Sequence, residues 1–209
     1  MLGLDTDLSD GKALLAEDPI LGSLVSAQPG ITIPGAWDRF ETSVRIILGQ
    51  QVTVSAASTI SGRVAERFGT PVAGLEPFAL GRMFPSPDRL AQADLSGLGV
   101  PVSRATTLTA FAAAVADGSL DLYLGTDLSG LLETLQALPG IGPWTAHMVA
   151  MRVYGHLDAF PAGDLGLRKS AARLLGQPDI SAQELEAVAE RWRPWRSLAA
   201  VYLWQSPPS

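Results

Sequence analysis

An all-α protein is the fold class this sequence predicts, on three observations. Apolar residues recur at helical spacing in one segment after another, glycine and proline separate the segments, and no alternating run of convincing strand length intervenes. The connections are short, which favours antiparallel helix packing.

The elements follow in chain order. Trp37, Phe40, Val44, Ile47 and Leu48 mark one helical face, interrupted at Gly49. Residues 53–68 form an alanine-rich helix with Gly69 as its C-cap. Residues 71–87, with Pro71, Pro77, Pro85 and Pro87, read mostly as loop. Ser86 then caps a short helix that has Pro87 in its first turn. Further helices are expected over 103–116, 129–137, 144–154, 164–175, 181–192 and 194–205, with 30–34 and 99–102 extended. On the last helix Trp195, Leu198 and Tyr202 share a face suited to the core, while Trp204 points about half a turn away. Trp144, Met148 and Met151 line one side of theirs.

Composition narrows the function classes. A chain of 209 residues with 47% hydrophobic and 17% charged content suits one large or two small compact domains. No apolar run approaches the roughly 18 residues of a membrane span, and the acidic N-terminus lacks a signal-peptide layout, so a cytoplasmic protein is expected. The absence of cysteine excludes disulfides, thiol nucleophiles and a cysteine-ligated iron–sulfur cluster. His147 and His156 are the only histidines; they are assigned no role, and a zinc site would need unusual ligands. The net charge of −6 weakens nonspecific nucleic-acid binding, but it is unevenly spread. Of the 21 acidic and 15 basic side chains, 15 and 8 fall in residues 1–137, leaving 6 and 7 in 138–209.

Two motifs carry chemistry. Leu138-Pro139-Gly140-Ile141-Gly142-Pro143-Trp144 lies between two helical stretches. Two glycines around one apolar residue permit a tight hairpin with exposed N–H groups, and Pro143 suits the first turn of the next helix. Such a turn aims backbone amides and a helix N-terminus at one point, an anion site that a DNA phosphate would fill, with Thr145 adding a hydroxyl. Taken alone, the same residues also describe an ordinary helix corner. Twenty residues beyond Trp144, the stretch Phe160-Pro161-Ala162-Gly163-Asp164 sets Asp164 at a helix N-cap, where the helix dipole favours negative charge. By itself that is a plain cap; beside the hairpin it becomes a candidate catalytic carboxylate. Arg168, one turn on, is placed to pair with Asp164 or to touch a phosphate.

With these motifs the sequence resembles the helix-hairpin-helix DNA glycosylases, and among them the DNA-3-methyladenine glycosylase II family. Four stretches carry the resemblance in the family's order: Ile47 to Val52, Leu138 to Ala146, Phe160 to Leu167 and Arg191 to Ser197. The resemblance implies a monofunctional glycosylase that removes alkylated bases from double-stranded DNA in base excision repair. It places Asp164 on the catalytic aspartate, and Gly140, Gly142 and Thr145 on the phosphate-gripping hairpin. Gln51 falls on the residue that fills the gap left by the everted base. Trp144, Met148, Leu165 and Trp204 fall on the base pocket, with Met148 and Leu165 at positions that are aromatic in the best-known type. The backbone carbonyls of Gln136, Leu138 and Ile141 fall where the family holds a monovalent cation; no cofactor is expected for catalysis.

The resemblance also implies two helical subdomains: residues 36–156 as a central bundle with the hairpin, and 1–35 with 157–209 as the second, carrying Asp164. A cleft between them and a monomeric protein are expected. Longer family members begin with a β-rich domain; the resemblance here starts almost at residue 1, so that domain is expected to be absent. The strand-cleaving branch of the superfamily needs a lysine two positions after the second hairpin glycine. Trp144 stands there, and the only lysines are Lys12 and Lys169. The alternatives are the same fold acting on deaminated or bulky-adduct bases, or a noncatalytic DNA-binding scaffold.

Overall fold

The computed structural model describes residues 3, 6–74, 81–125 and 127–206. Among them are eleven α-helices and one pair of two-residue strands, so the all-α expectation holds. The chain forms two compact units, one of residues 1–37 and 146–209, the other of 38–145.

The second unit opens on α3 (Arg39–Leu48), after α1 (Ser9–Ala16) and α2 (Gly22–Ala27) of the first. Asp38 caps α3 by accepting from the Glu41 N–H, and Phe40, Val44, Ile47 and Leu48 are buried along its inner face. Trp37, expected on that face, lies before the cap and is 85% exposed. The helix begins two residues too late to carry it inward. Thr53 caps α4 (Val54–Phe68), which buries Ile60 and Val64. Gly69 does end α4, but in an extended conformation that leads into β1 (Thr70–Pro71). That strand pairs antiparallel with β2 (Arg82–Met83), a two-residue ladder inside the stretch read as loop. The Pro77 part of that stretch lies outside the described residues.

Ser86 accepts from Arg89 N–H to cap α5 (Pro87–Ala91), with Pro87 in the first turn as expected. The longer α6 (Val102–Ala116) brings Leu108, Phe111 and Ala112 into the core, where Phe111 stacks on Phe40 with ring centroids 6.1 Å apart. Asp127 caps α7 (Leu128–Gln136), and the hairpin follows.

The first unit resumes inside α8 (Pro143–Val149), which passes into a single π-helical turn, Ala150–Tyr154, ended by Gly155 at φ 77°. The boundary expected at residue 156 therefore falls earlier, at 145/146. Residues 146–160 are tied to the rest of the first unit by specific bonds. Arg152 Nε donates to the Pro34 carbonyl, and the Ser197 hydroxyl donates to the His156 and Ala159 carbonyls. Helices α9 (Leu165–Leu174), α10 (Ala182–Ala189) and α11 (Arg196–Gln205) complete the unit, with a 3₁₀ turn at Glu190–Trp192.

Residues 196–203 of α11 are all buried, so this helix is surrounded rather than packed on one face. Removing Leu198 and Leu203 from water is worth about 1.5–3 kcal/mol each, and the buried Tyr202 adds to the same core. The buried Arg196 is matched by Asp158 at 2.8 Å and Glu186 at 3.0 Å, so its charge is not stranded. Trp192 Nε1 donates to Asp18 Oδ2 at 2.9 Å, fastening the 3₁₀ turn to the segment after α1.

Candidate active site and hairpin

In the first unit, the buried Phe160 fixes the loop that delivers Asp164. Its ring meets Trp192 edge-on at 5.9 Å, and its N–H donates to His147 Nδ1 at 3.1 Å. His147 thus has a structural use the sequence did not disclose. Burial, reinforced by the Arg196 guanidinium, pushes its pKa down to about 4, with Asp158 pulling the other way. A neutral imidazole with Nδ1 unprotonated is the form able to accept this bond.

Asp164 caps α9 as the sequence predicts. Its Oδ1 accepts from the Leu167 N–H at 3.0 Å and from Trp204 Nε1–H at 2.9 Å. The carboxylate is half-buried and its orientation is fixed from two directions. Gly166 makes room for this arrangement: a Cβ there would lie 3.0 Å from Asp164 Oδ1 and 3.4 Å from Trp204 Cδ1. The indole of Trp204 therefore presents its edge to the aspartate, a role beyond the ring-face contact expected of it. Leu165, the first residue of α9, is 60% exposed, and Met148 on α8 is half-buried.

Arg168 does not pair with Asp164. Its Nη2 meets Asp179 Oδ2 at 3.2 Å and its Nε donates to the Ile180 carbonyl, so it fastens α9 to the segment before α10. One turn of helix carries the guanidinium toward that segment and away from the cap.

In the second unit, the hairpin is built by bonds from Leu138 N–H to Leu135 O and from Ile141 N–H to Leu138 O, both 3.2 Å, with Ile141 buried as its anchor. The two glycines differ. Gly140 has φ 77°, and a Cβ there would fall 2.0 Å from Thr107 Oγ1, so the fold itself requires glycine. At Gly142 the φ is ordinary and nothing lies within 4 Å of the Cβ position. The fold does not need glycine there, and the open backbone suits close approach by a ligand. Pro143 takes the first position of α8, whose leading N–H groups lack helical partners by geometry. Trp144 follows, half-buried.

Thr145 turns inward. It is 2% exposed, and its Oγ1 accepts from Gln50 Nε2 at 2.8 Å, so the hydroxyl braces the hairpin and burial withdraws it from an outside anion. Gln51 is exposed, at φ 55°, in the turn between α3 and α4. Gln50, Arg104 and Thr107, which hold this turn and the hairpin, were missed. An arginine in the first turn of α6, where the helix dipole disfavours a cation, was the available signal. No group of three or more His, Asp or Glu side chains able to hold a metal ion occurs among the described residues. No helix among them is long and apolar enough to cross a membrane.

Residues 44–195, well over half of the chain and including both motifs, match the model of the HhH-GPD superfamily base excision DNA repair proteins. The chain belongs to that family. It is 45% identical over 204 residues to the probable bifunctional transcriptional activator/DNA repair enzyme AlkA of Mycobacterium tuberculosis, covering 98% of this chain and 40% of the relative. It is 38% identical over 187 residues to DNA-3-methyladenine glycosylase 2 of Escherichia coli, covering 88% and 63% respectively. The chain thus spans between two fifths and two thirds of these relatives' length. Among solved structures, the Schizosaccharomyces pombe 3-methyladenine DNA glycosylase Mag1, in complex with abasic DNA, superposes with a TM-score of 0.77 at 23% identity. That match covers 94% of this chain and 96% of the other. The Clostridium acetobutylicum 8-oxoguanine glycosylase/lyase superposes with a TM-score of 0.82 at 22% identity, over 97% and 70%. The fold is thus shared by proteins with and without lyase in their names, and the branch must be argued from the site.

Proposed function

We propose that this chain is a monofunctional DNA glycosylase that hydrolyses the N-glycosidic bond of alkylated bases, of the 3-methyladenine and 7-methylguanine type, in double-stranded DNA. The observation that carries the reading is the Asp164 carboxylate, held at the start of α9 by the Leu167 and Trp204 N–H groups. A carboxylate so preorganised can stabilise the positive charge that builds on the sugar as the bond breaks.

The steps follow from the residues. Hairpin amides around Gly142 and the first turn of α8 take a phosphate. The damaged nucleotide leaves the stack and Gln51 occupies its place. Alkylation at a ring nitrogen makes the base cationic, so it departs with the bonding electron pair without needing a general acid. Water adds to the sugar carbon, and its proton passes to Asp164 or to solvent. Trp144 and Trp204 each offer an aromatic ring to a cationic base, worth about 0.5–2 kcal/mol apiece. That preference is small, so lability of the damaged base supplies much of the selectivity.

The backbone carbonyls of Gln136, Leu138 and Ile141 are neutral oxygen donors at the end of α7 and in the hairpin, which fits a monovalent cation better than a multivalent one. Among the described residues Leu138 O accepts the bond from Ile141 N–H, and a carbonyl can take two. A cation held there would offset phosphate charge. The reaction itself uses no cofactor, and we read the protein as a cytoplasmic monomer.

Strand cleavage is not part of this reading. Trp144 stands where an amine nucleophile would be required, and the exposed Lys169 lies on α9 five residues past Asp164. Met148, half-buried, and Leu165, exposed, are both aliphatic and favour a second reading in which deaminated or bulkier bases are also accepted. The test is chromatographic analysis of bases released from methylated DNA, beside Asp164→Asn. Release of methylated purines, reduced about 100-fold or more in the variant, is expected from the size of transition-state electrostatics. No release by the wild type, or near-normal turnover by the variant, would overturn the reading.

A further inference from the structure

We propose that Gln50, braced by Arg104, is a positioning residue that clasps the Gln51 turn to the phosphate-binding hairpin. Phosphate grip and base eversion are thereby set by one rigid piece. This rests on the glycosylase reading above.

The turn needs holding. Gln51 sits at φ 55°, the left-handed region that side-chain-bearing residues seldom adopt, and it is exposed. Such a conformation persists only where the surroundings over-determine it. Three bonds from outside the turn do so. The Gln50 amide donates to the Gly140 carbonyl at 3.1 Å and to Thr145 Oγ1 at 2.8 Å, one acceptor on each side of Gly142. The Gln50 carbonyl, part of the peptide entering Gln51, accepts from Arg104 Nη2.

Arg104 is an unusual choice for a brace. It is 9% exposed, and its Nε and Nη1 have no partner among the described residues. It also stands in the first turn of α6, against the helix dipole. A buried guanidinium with unmet donors lowers stability, which argues that it is kept for the shape it imposes. Three residues along the same helix, Thr107 fills the space beside Gly140 that a Cβ would need. The start of α6 thus sets both the Gln51 turn and the hairpin, and Gln50 closes the loop between them. The half-buried Gln50 adds little to the core, where Phe40, Val44, Ile47 and Leu48 already seat α3.

The consequence is that a wedge without its clasp still allows phosphate binding but no longer drives the base out. Gln50→Met keeps the volume and removes the donors. We expect its melting temperature to fall by a few degrees, because the Gly140 carbonyl and the buried Thr145 hydroxyl lose this donor, while its affinity for undamaged duplex falls by no more than about 3-fold, because the hairpin keeps its own bonds at Leu138 and Ile141. Base release is measured under single-turnover conditions from 7-methylguanine in two settings: paired with cytosine, and in a one-nucleotide bulge, where eversion is already cheap. The paired rate should fall about 30-fold or more while the bulge rate stays within about 3-fold, a split of about one factor-of-ten step in barrier. A 2-aminopurine beside the lesion should lose its eversion signal in parallel. Gln51→Ala serves as the reference for a missing wedge. Equal loss on both substrates, or no loss on either, would overturn the clasp. If the wild type releases no base from either substrate, the glycosylase reading itself fails. If the wild type is active and Gln51→Ala shows the split but Gln50→Met does not, the clasp alone is wrong.

Discussion

Replacing Trp204 with phenylalanine separates two things the indole can do. The ring face survives in Phe, while the Nε1–H that reaches Asp164 Oδ1 at 2.9 Å is lost. The cap does not collapse, because the Leu167 N–H still holds the same oxygen at 3.0 Å. A hydrogen bond to a charged group is worth about 1.5–3 kcal/mol, and at a half-buried site the lower half of that range applies. If the bond serves to aim the carboxylate at the developing charge, its loss appears in the chemical step. At about 1.4 kcal/mol per decade, the single-turnover rate of base release should drop roughly 10-fold. The Kd for lesion-containing duplex should stay within about 2-fold, because the binding surface is unchanged. Trp204→Ala removes face and donor together and should lose both rate and affinity. The assay is single-turnover release of 7-methylguanine with protein in excess, run beside equilibrium binding. A Phe variant as fast as wild type, with an Ala variant severely slowed, would refute the orienting role and leave only ring contact.

Other expectations follow from the same geometry. Gly140→Ala should lower thermal stability, since an alanine at φ 77° costs about 1–2 kcal/mol before the clash with Thr107 is counted. Gly142→Val should melt near wild type yet bind every duplex sequence more weakly, and a loss confined to particular sequences would count against a backbone grip. Borohydride should trap no protein–DNA adduct, and a denaturing gel without alkali should show uncut strands; an adduct abolished by changing Lys169 would reassign the branch. His147 has a folded pKa near 4 against its ordinary 6.5, so the unfolded chain takes up a proton that the folded one refuses. Its contribution is fully present above about pH 6.5 and is lost as pH falls toward 4. Melts at several pH values should show a shallower decline across that window in His147→Gln, and an identical decline would show the imidazole is not responsible.

Helix positions were legible because they rest on local chemistry. Asp38, Thr53, Ser86, Asp127, Asp164 and Ser181 each accept from an N–H three residues on, and such caps are written in the chain itself. The hairpin was legible for the same reason: two glycines widen backbone torsion and two prolines restrict it, wherever they stand. Trp37 was misplaced because the apolar period ran one residue past the cap, and periodicity carries no information about where a helix starts. The two-residue strand pair was invisible because it has no period to detect.

By itself, then, the sequence determined the helices from α3 on, the hairpin and the capping Asp164, all set by torsional preference and bonds within a few residues, while α1 and α2 were not read from it. Only the tertiary structure decided what those groups face. Trp204 reaches Asp164 across 40 residues, Gln50 reaches Thr145 across 95, and Arg104 reaches the Gln50 carbonyl across 54. Arg168 turned to Asp179 and Thr145 turned inward for the same cause. A side chain with several donors takes whichever acceptor the packing of distant helices brings within 3 Å, and no local preference encodes that choice.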